Sequence, residues 1–259
     1  MFEQLTRVSA PFPPLVVTYG ANAQTIKLFT HFTAAKNSDE PLTYSVVANS
    51  SPTVIIPDHI VISEGNLTLL LGEAGLSTLT IQAQDWRGAT VTTDLKVAVL
   101  PEVLEAEMKL SQAILPTGET RASAAQFWGG WSINAQGFFP EAQVTLTDTV
   151  TVLGKIKVAP EDSGKKAEIV VYATYLPLSI AGVTSPQYLM LDTQGQVLSW
   201  DGKLENLVPF QRDMVLEPTQ LVYAYQGQLI VPAKVDVYLG YRLEDGTLVS
   251  SQVMNLMAE

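Results

Sequence analysis

The chain has 259 residues, with 15 basic and 26 acidic side chains, a net charge of −11 and no cysteine. No basic cluster occurs, which argues against binding nucleic acid or an anionic membrane surface through counterion release. The missing cysteines exclude disulfides, thiolate nucleophiles, zinc ribbons and cysteine-held iron–sulfur clusters.

Residues 1–14 read as an extended N-terminal arm, because Pro11, Pro13 and Pro14 oppose helix. The arm has no apolar signal core, which fits a mature product or an excised fragment. From Leu15 the chain reads as β. LVVTY and TIKLFTHF are strand-like, and AKNSDEP is a polar turn ending at Pro41. In LTYSVVA, Leu42, Tyr44 and Val46 share a face. VIIPDHIVI is interrupted by Pro57, the mark of an edge strand or bulge. Leu67, Leu69 and Leu71 share one face, as do Leu79, Ile81 and Ala83. DWRG turns, and Val91, Leu95 and Val97 alternate along the last strand. About seven strands at roughly ten-residue intervals predict a β-sandwich.

The order LTYSV, NLTL, then STLTIQAQD-WRG-ATVTTDLKVAV resembles the cadherin-like, dystroglycan-type Ig domains of large surface proteins. The resemblance covers about residues 14–100 and implies an adhesive, extracellular module. Family members bind calcium through clustered acids, and calcium requires six to eight oxygens. Here Asp85 matches one family acid, but position 83 is Ala, so no DxD pair exists. No DxNDN linker follows. If calcium binds, Asp85 with Glu102 or Glu105 is the expected cluster. Otherwise Asp85 caps the DWRG turn.

Residues 101–116 form a linker. Val103, Leu104 and Met108 fall near helical spacing, with Glu102 and Glu105 in the first turn. The alternative is a strand entering the second module. Residues 117–259 return to β patterning, from VTLTDTVTVLGKIKV and AEIVVYATYL to VDVYLGYRL. The turns QGQ, YQGQ and LEDGT fit short hairpins. DTVTVLGKIKVAPEDSGKKAEIVVYATY and VDVYLGYRLEDGTLVSSQ are similar to C-terminal parts of large bacterial surface or secreted proteins. The expectation is an all-β chain of two β-sandwich modules, Ig-like, joined by a short helix or a continuing strand. No apolar run approaches the roughly 18 residues of a membrane-spanning helix, so no membrane insertion is expected.

Catalytic signals are sparse. The only histidines, His31 and His59, lie in strand-like segments, and no G-x-S-x-G occurs. A Ser–His–Asp site is a matter of geometry rather than sequence, but nothing here signals one. Glu161–Asp162 and Glu244–Asp245 are adjacent acids in turns and are expected to face solvent, not a hydrolytic cleft. The protein is therefore expected not to be an enzyme and to have no cofactor. Four tryptophans are candidate ligand contacts: Trp86 in DWRG, Trp128 and Trp131 in FWGGW, and Trp200 in SWDG. Flat exposed rings beside polar groups would suit a carbohydrate.

Three functions follow as expectations. The first is a non-catalytic structural, adhesive or protein-interaction segment of a bacterial surface or secreted assembly. The second is a carbohydrate-binding module using the tryptophans. The third is an intracellular subunit of a larger complex.

Overall fold

The structure, a computed structural model, describes residues 6–34, 41–103, 108–178, 185–251 and 254–259. The polar turn expected at 35–40 and the helical positions 104–107 lie outside the described residues. The fold is all-β: the described helices are single 3-10 turns at Leu28–Thr30 and Leu204–Asn206. The chain divides into two compact units, Met1–Glu102 and Val103–Glu259.

The first unit contains β1 (Arg7–Val8), β2 (Leu15–Thr18), β3 (Gln24–Lys27), β4 (Phe32–Thr33) and β5 (Thr43–Asn49). It continues with β6 (Ile55–Ser63), β7 (Asn66–Leu71), β8 (Gly75–Gln84) and β9 (Thr90–Leu100). Two sheets face each other, one ordered β2-β9-β8-β5 and the other β3-β7-β6. Period-two alternation turns Leu79, Ile81 and Ala83 of β8 and Leu95, Val97 and Val99 of β9 inward, against Leu67 and Leu69 of β7. These are the faces expected from the sequence. Pro57 sits in β6, an edge strand whose register slips between Ile55 and Ile60. A proline is tolerated there because an edge N–H needs no ladder partner.

The segment expected as an arm is part of this unit. β1 pairs with β4, and Phe12 is buried among core residues. His31 packs tilted against Phe12 at 4.2 Å between ring centroids, and its Nδ1 lies 3.2 Å from the Ala10 carbonyl. That histidine is a structural clasp. His59 is exposed on β6.

The second unit begins earlier than residue 117. Its first strand, β10 (Lys109–Ile114), covers much of the expected linker helix, and pairs with β11 (Thr120–Ile133). Sheet pairing overrides the weak helical spacing there, which leaves a strand where the sequence allowed a helix. The unit continues with β12 (Gln136–Phe139), β13 (Glu141–Val144), β14 (Val150–Lys157), β15 (Lys166–Pro177) and β16 (Gln187–Leu191). Then come β17 (Val197–Trp200), β18 (Gln211–Val215), β19 (Thr219–Gly227), β20 (Ala233–Leu243), β21 (Leu248–Ser250) and β22 (Met254–Ala258).

All thirteen strands belong to one sheet, along the path β17-β16-β15-β20-β21-β10-β11-β14-β19, with the rest branching from it. Its layers are parts of a single hydrogen-bonded sheet, unlike the two separate sheets of the first unit. Three long strands each share one edge between two partners. β20 gives residues 233–237 to β22 and 240–242 to β21, β11 divides between β10 and β12, and β15 between β16 and β18. Such splitting lets a sheet bend sharply, and the inner face closes over a core including Phe127, Ile156, Ile169, Leu239 and Tyr241.

Four loops share one turn. In 85–89, 115–119, 192–196 and 243–247 the first N–H donates to the fifth carbonyl, and the fourth N–H donates to the first carbonyl. The fourth residue is always glycine, with φ from 73° to 85°. That left-handed position is strained for any side chain, which fixes DWRG and LEDG as hairpins in the sequence.

Candidate functional site

The FWGGW segment lies inside β11 rather than in a loop. Gly129 and Gly154 are cross-strand partners. A Cβ on Gly129 would stand 2.0 Å from Met254 Sδ, and one on Gly154 would stand 2.0 Å from Leu239 Cδ1. The glycines therefore make room for side chains packed over the sheet. On a period-two strand, residues three apart face opposite sides. Trp131 points into the core, whereas Trp128 is half-buried on the other face against Phe138, 6.3 Å between centroids. The two rings cannot form one sugar platform.

Trp200 is also committed elsewhere. Its Nε1 donates to the Lys203 carbonyl at 2.8 Å, and its ring meets Tyr172 at 5.3 Å and Tyr188 at 5.9 Å. Trp86 is the exception: it is 56% exposed, and the Arg87 guanidinium carbon lies 4.8 Å from its ring centroid.

The acids expected as calcium ligands are not brought together. Asp85 sits in the β8–β9 turn and Glu102 lies beyond the far end of β9. That strand has 11 residues, or about 35 Å at roughly 3.3 Å per residue. Glu105 lies outside the described residues. Asp85 Oδ1 accepts the N–H groups of Arg87 at 3.0 Å and Ala89 at 2.9 Å, and Oδ2 accepts the Thr6 hydroxyl at 2.9 Å. Burial pushes this carboxyl up, but the hydrogen bonds together outweigh it and hold it below the ordinary range. Asp192 caps its own turn in the same way, accepting Gln194 and Gln196 N–H at 2.9 Å each. Among the described residues no group of three or more His, Asp or Glu is placed to hold a metal ion.

One acid departs from expectation. Glu161 is exposed, but Asp162 is buried. It accepts the Tyr241 hydroxyl at 2.9 Å and the Lys165 ammonium at 2.8 Å. Burial, then Asp162 itself, drive the Tyr241 phenol far above its usual value. Both partners keep the acid in a structural role. Adjacent acids in a turn gave no sign of this, because the partner tyrosine is 79 residues away.

The second unit contains a cavity of about 470 Å³. Its walls come from both ends of the sheet path, Leu189 and Val197 from β16 and β17, and Ala224 and Tyr225 from β19. The curl thus brings the sheet ends to face each other without pairing among the described residues. Val152, Val171 and Val237 line the interior. No Asp, Glu, Lys, Arg or His among the described residues contributes to the wall. Trp131 does contribute. It is 2% exposed, and its indole N–H, shut off from solvent, has no hydrogen-bond partner among the described residues. A buried donor left unpaired costs about 1–3 kcal/mol. Tyr175 and Tyr225 also line the cavity, and burial raises both phenols. Ile230, on the wall, is 88% exposed and marks the mouth. The sequence carried a signal for Trp131, since Ala125, Phe127 and Trp131 fall on the same parity of one strand. Nothing in it signalled the hollow.

No protein-family model matches this chain, and no curated protein matches it.

Proposed function

We propose that the protein is a non-catalytic interaction segment, structural or adhesive, of a bacterial surface or secreted assembly, and that it engages a protein partner. The observation that carries this reading is the Trp86–Arg87 turn. Trp and Arg are the residues most enriched at energetic centres of protein interfaces. Here a solvent-facing indole is held under a guanidinium at the tip of a rigid hairpin. Fixing the ring before contact lowers the entropy lost on binding. The carboxylates that could have served chemistry are turned to structure instead. Asp85, Asp148, Asp201 and Asp245 each accept backbone N–H groups within their own loops. The likeness to cadherin-like domains in about residues 14–100 supports the same reading.

The test is photo-crosslinking on intact cells that express the chain natively. A benzophenone amino acid replaces Trp86, and Val61, which is 55% exposed, serves as the control position. The expected result is one discrete protein adduct at position 86 and none at 61. Equal labelling at both positions, or none at 86, would reject the reading. Surface protease applied to the same cells should release peptides of this chain. Their retention inside the cells would reject the surface placement.

A further inference from the structure

We infer that the second unit is a receptor for a small neutral lipophile bound in the cavity. The inference does not depend on the adhesive reading.

The size fits. About 470 Å³ lies within the range of small-molecule pockets, roughly 300–1,000 Å³. It is about three times the ~150 Å³ apolar cavity that accepts benzene. The chemistry of the wall selects the class. Valine, leucine and alanine side chains dominate, and no charged residue among those described faces the space. An ionised headgroup inside would have no counter-charge and would lose its hydration. A neutral molecule loses little.

A peptide strand is a poor occupant. Each of its residues brings an N–H and a C=O, and the polar side chains of this wall, among the described residues, are Trp, Tyr and Gln alone. Ile230 at the mouth gives a lipophile an apolar first contact.

The experiment uses the full chain. N-phenyl-1-naphthylamine, a neutral probe that fluoresces in apolar sites, is titrated first, and 2-decanone and decanoate then compete with it at pH 8. The wild type is expected to bind the probe saturably at one site and to release it to the ketone. Decanoate should compete at least tenfold less well. Ala224→Phe, which fills the cavity, should abolish probe binding. Should that variant fail to fold, Ile230→Asn at the exposed mouth should still weaken it. The proposal is overturned if the wild type shows no saturable probe binding. It is equally overturned if decanoate competes as well as the ketone, or if Ile230→Asn and a folded Ala224→Phe bind the probe like the wild type.

Discussion

The two units use similar strand patterns to opposite ends. In the first, two separate sheets press together, and leucine and isoleucine from each fill the space: Leu67 and Leu69 from one side, Leu79, Ile81 and Leu95 from the other. In the second, one sheet bends until its ends face each other, and the inward positions at the bend are shorter, with Val150, Val152, Val171, Ala224 and Val237. Flat sheets about 10 Å apart are filled by long aliphatic side chains. In the curled sheet these short side chains, among longer ones such as Leu189, Leu256 and Trp131, leave part of the space unfilled, and the shortfall is the cavity. The lesson is that side-chain length on the inner face, set against sheet curvature, separates a sealed core from a receptive one.

The sharpest way to break this comparison is truncation on each side of it. Leu79→Ala in the sealed core should cost about 2–5 kcal/mol by urea unfolding. Val237→Ala on the cavity wall should cost about 1 kcal/mol or less, because one flank of that side chain has no packing partner to lose. Equal costs would mean that the cavity is filled in solution.

A polar tie in the first unit comes next. Asn49 donates to the Ile55 carbonyl at 2.8 Å and accepts the buried Ser77 hydroxyl at 2.9 Å. Asn49→Ala should cost about 1–3 kcal/mol, read by hydrogen exchange in β5 and β8, because the Ser77 hydroxyl loses its best acceptor.

The pH profile of melting should separate turns from strands. Hydrogen bonds hold Asp148, Asp201 and Asp245 below the ordinary carboxyl value, and Asp85 is held low despite its burial. A depressed folded value stabilises above the unfolded one, near pH 4, and that stability is lost as pH falls through the folded value. Tm should therefore hold from pH 7 to about 5 and drop below about 4. Burial raises Tyr44, Tyr172, Tyr175, Tyr223, Tyr225, Tyr238 and Tyr241. Their stabilisation is complete below about pH 10 and fades above it. Asp148→Asn should blunt the acid limb and leave the alkaline limb alone.

Two tryptophans give the smallest effects. Trp131→Phe without ligand should change stability by under about 1 kcal/mol, since removing an unpaired donor offsets the lost volume. Trp86→Ala should stay within about 0.5 kcal/mol, as an exposed side chain outside the core should.

Much of the first unit was legible in its residues. Leu79, Ile81 and Ala83 alternate cleanly because one face of their sheet is buried. Pro57 announced an edge, and the glycines of DWRG and LEDG announced hairpins, because each has a steric reason to be where it is. The linker was not legible, since Met108 and its neighbours suit either a helix turn or a strand, and pairing with β11 decided between them. The tryptophans misled for a related reason. Trp128 and Trp131 were candidate ligand contacts, but a strand sends positions three apart to opposite faces, so the two rings part company.

The sequence by itself determined the all-β class, the hairpin turns and the inward faces of the strands, because these follow from local sterics and the two-residue period. Tertiary structure alone decided the rest. A single sheet curls, with β11, β15 and β20 each splitting one edge between two partners and with strands far apart in the chain joined along its path, β10 to β21, β14 to β19 and β15 to β20. That curl brings β16 and β17 opposite β19 and opens a hollow between them. Strand pairing at long range is invisible to local pattern, and the cavity exists only because of it.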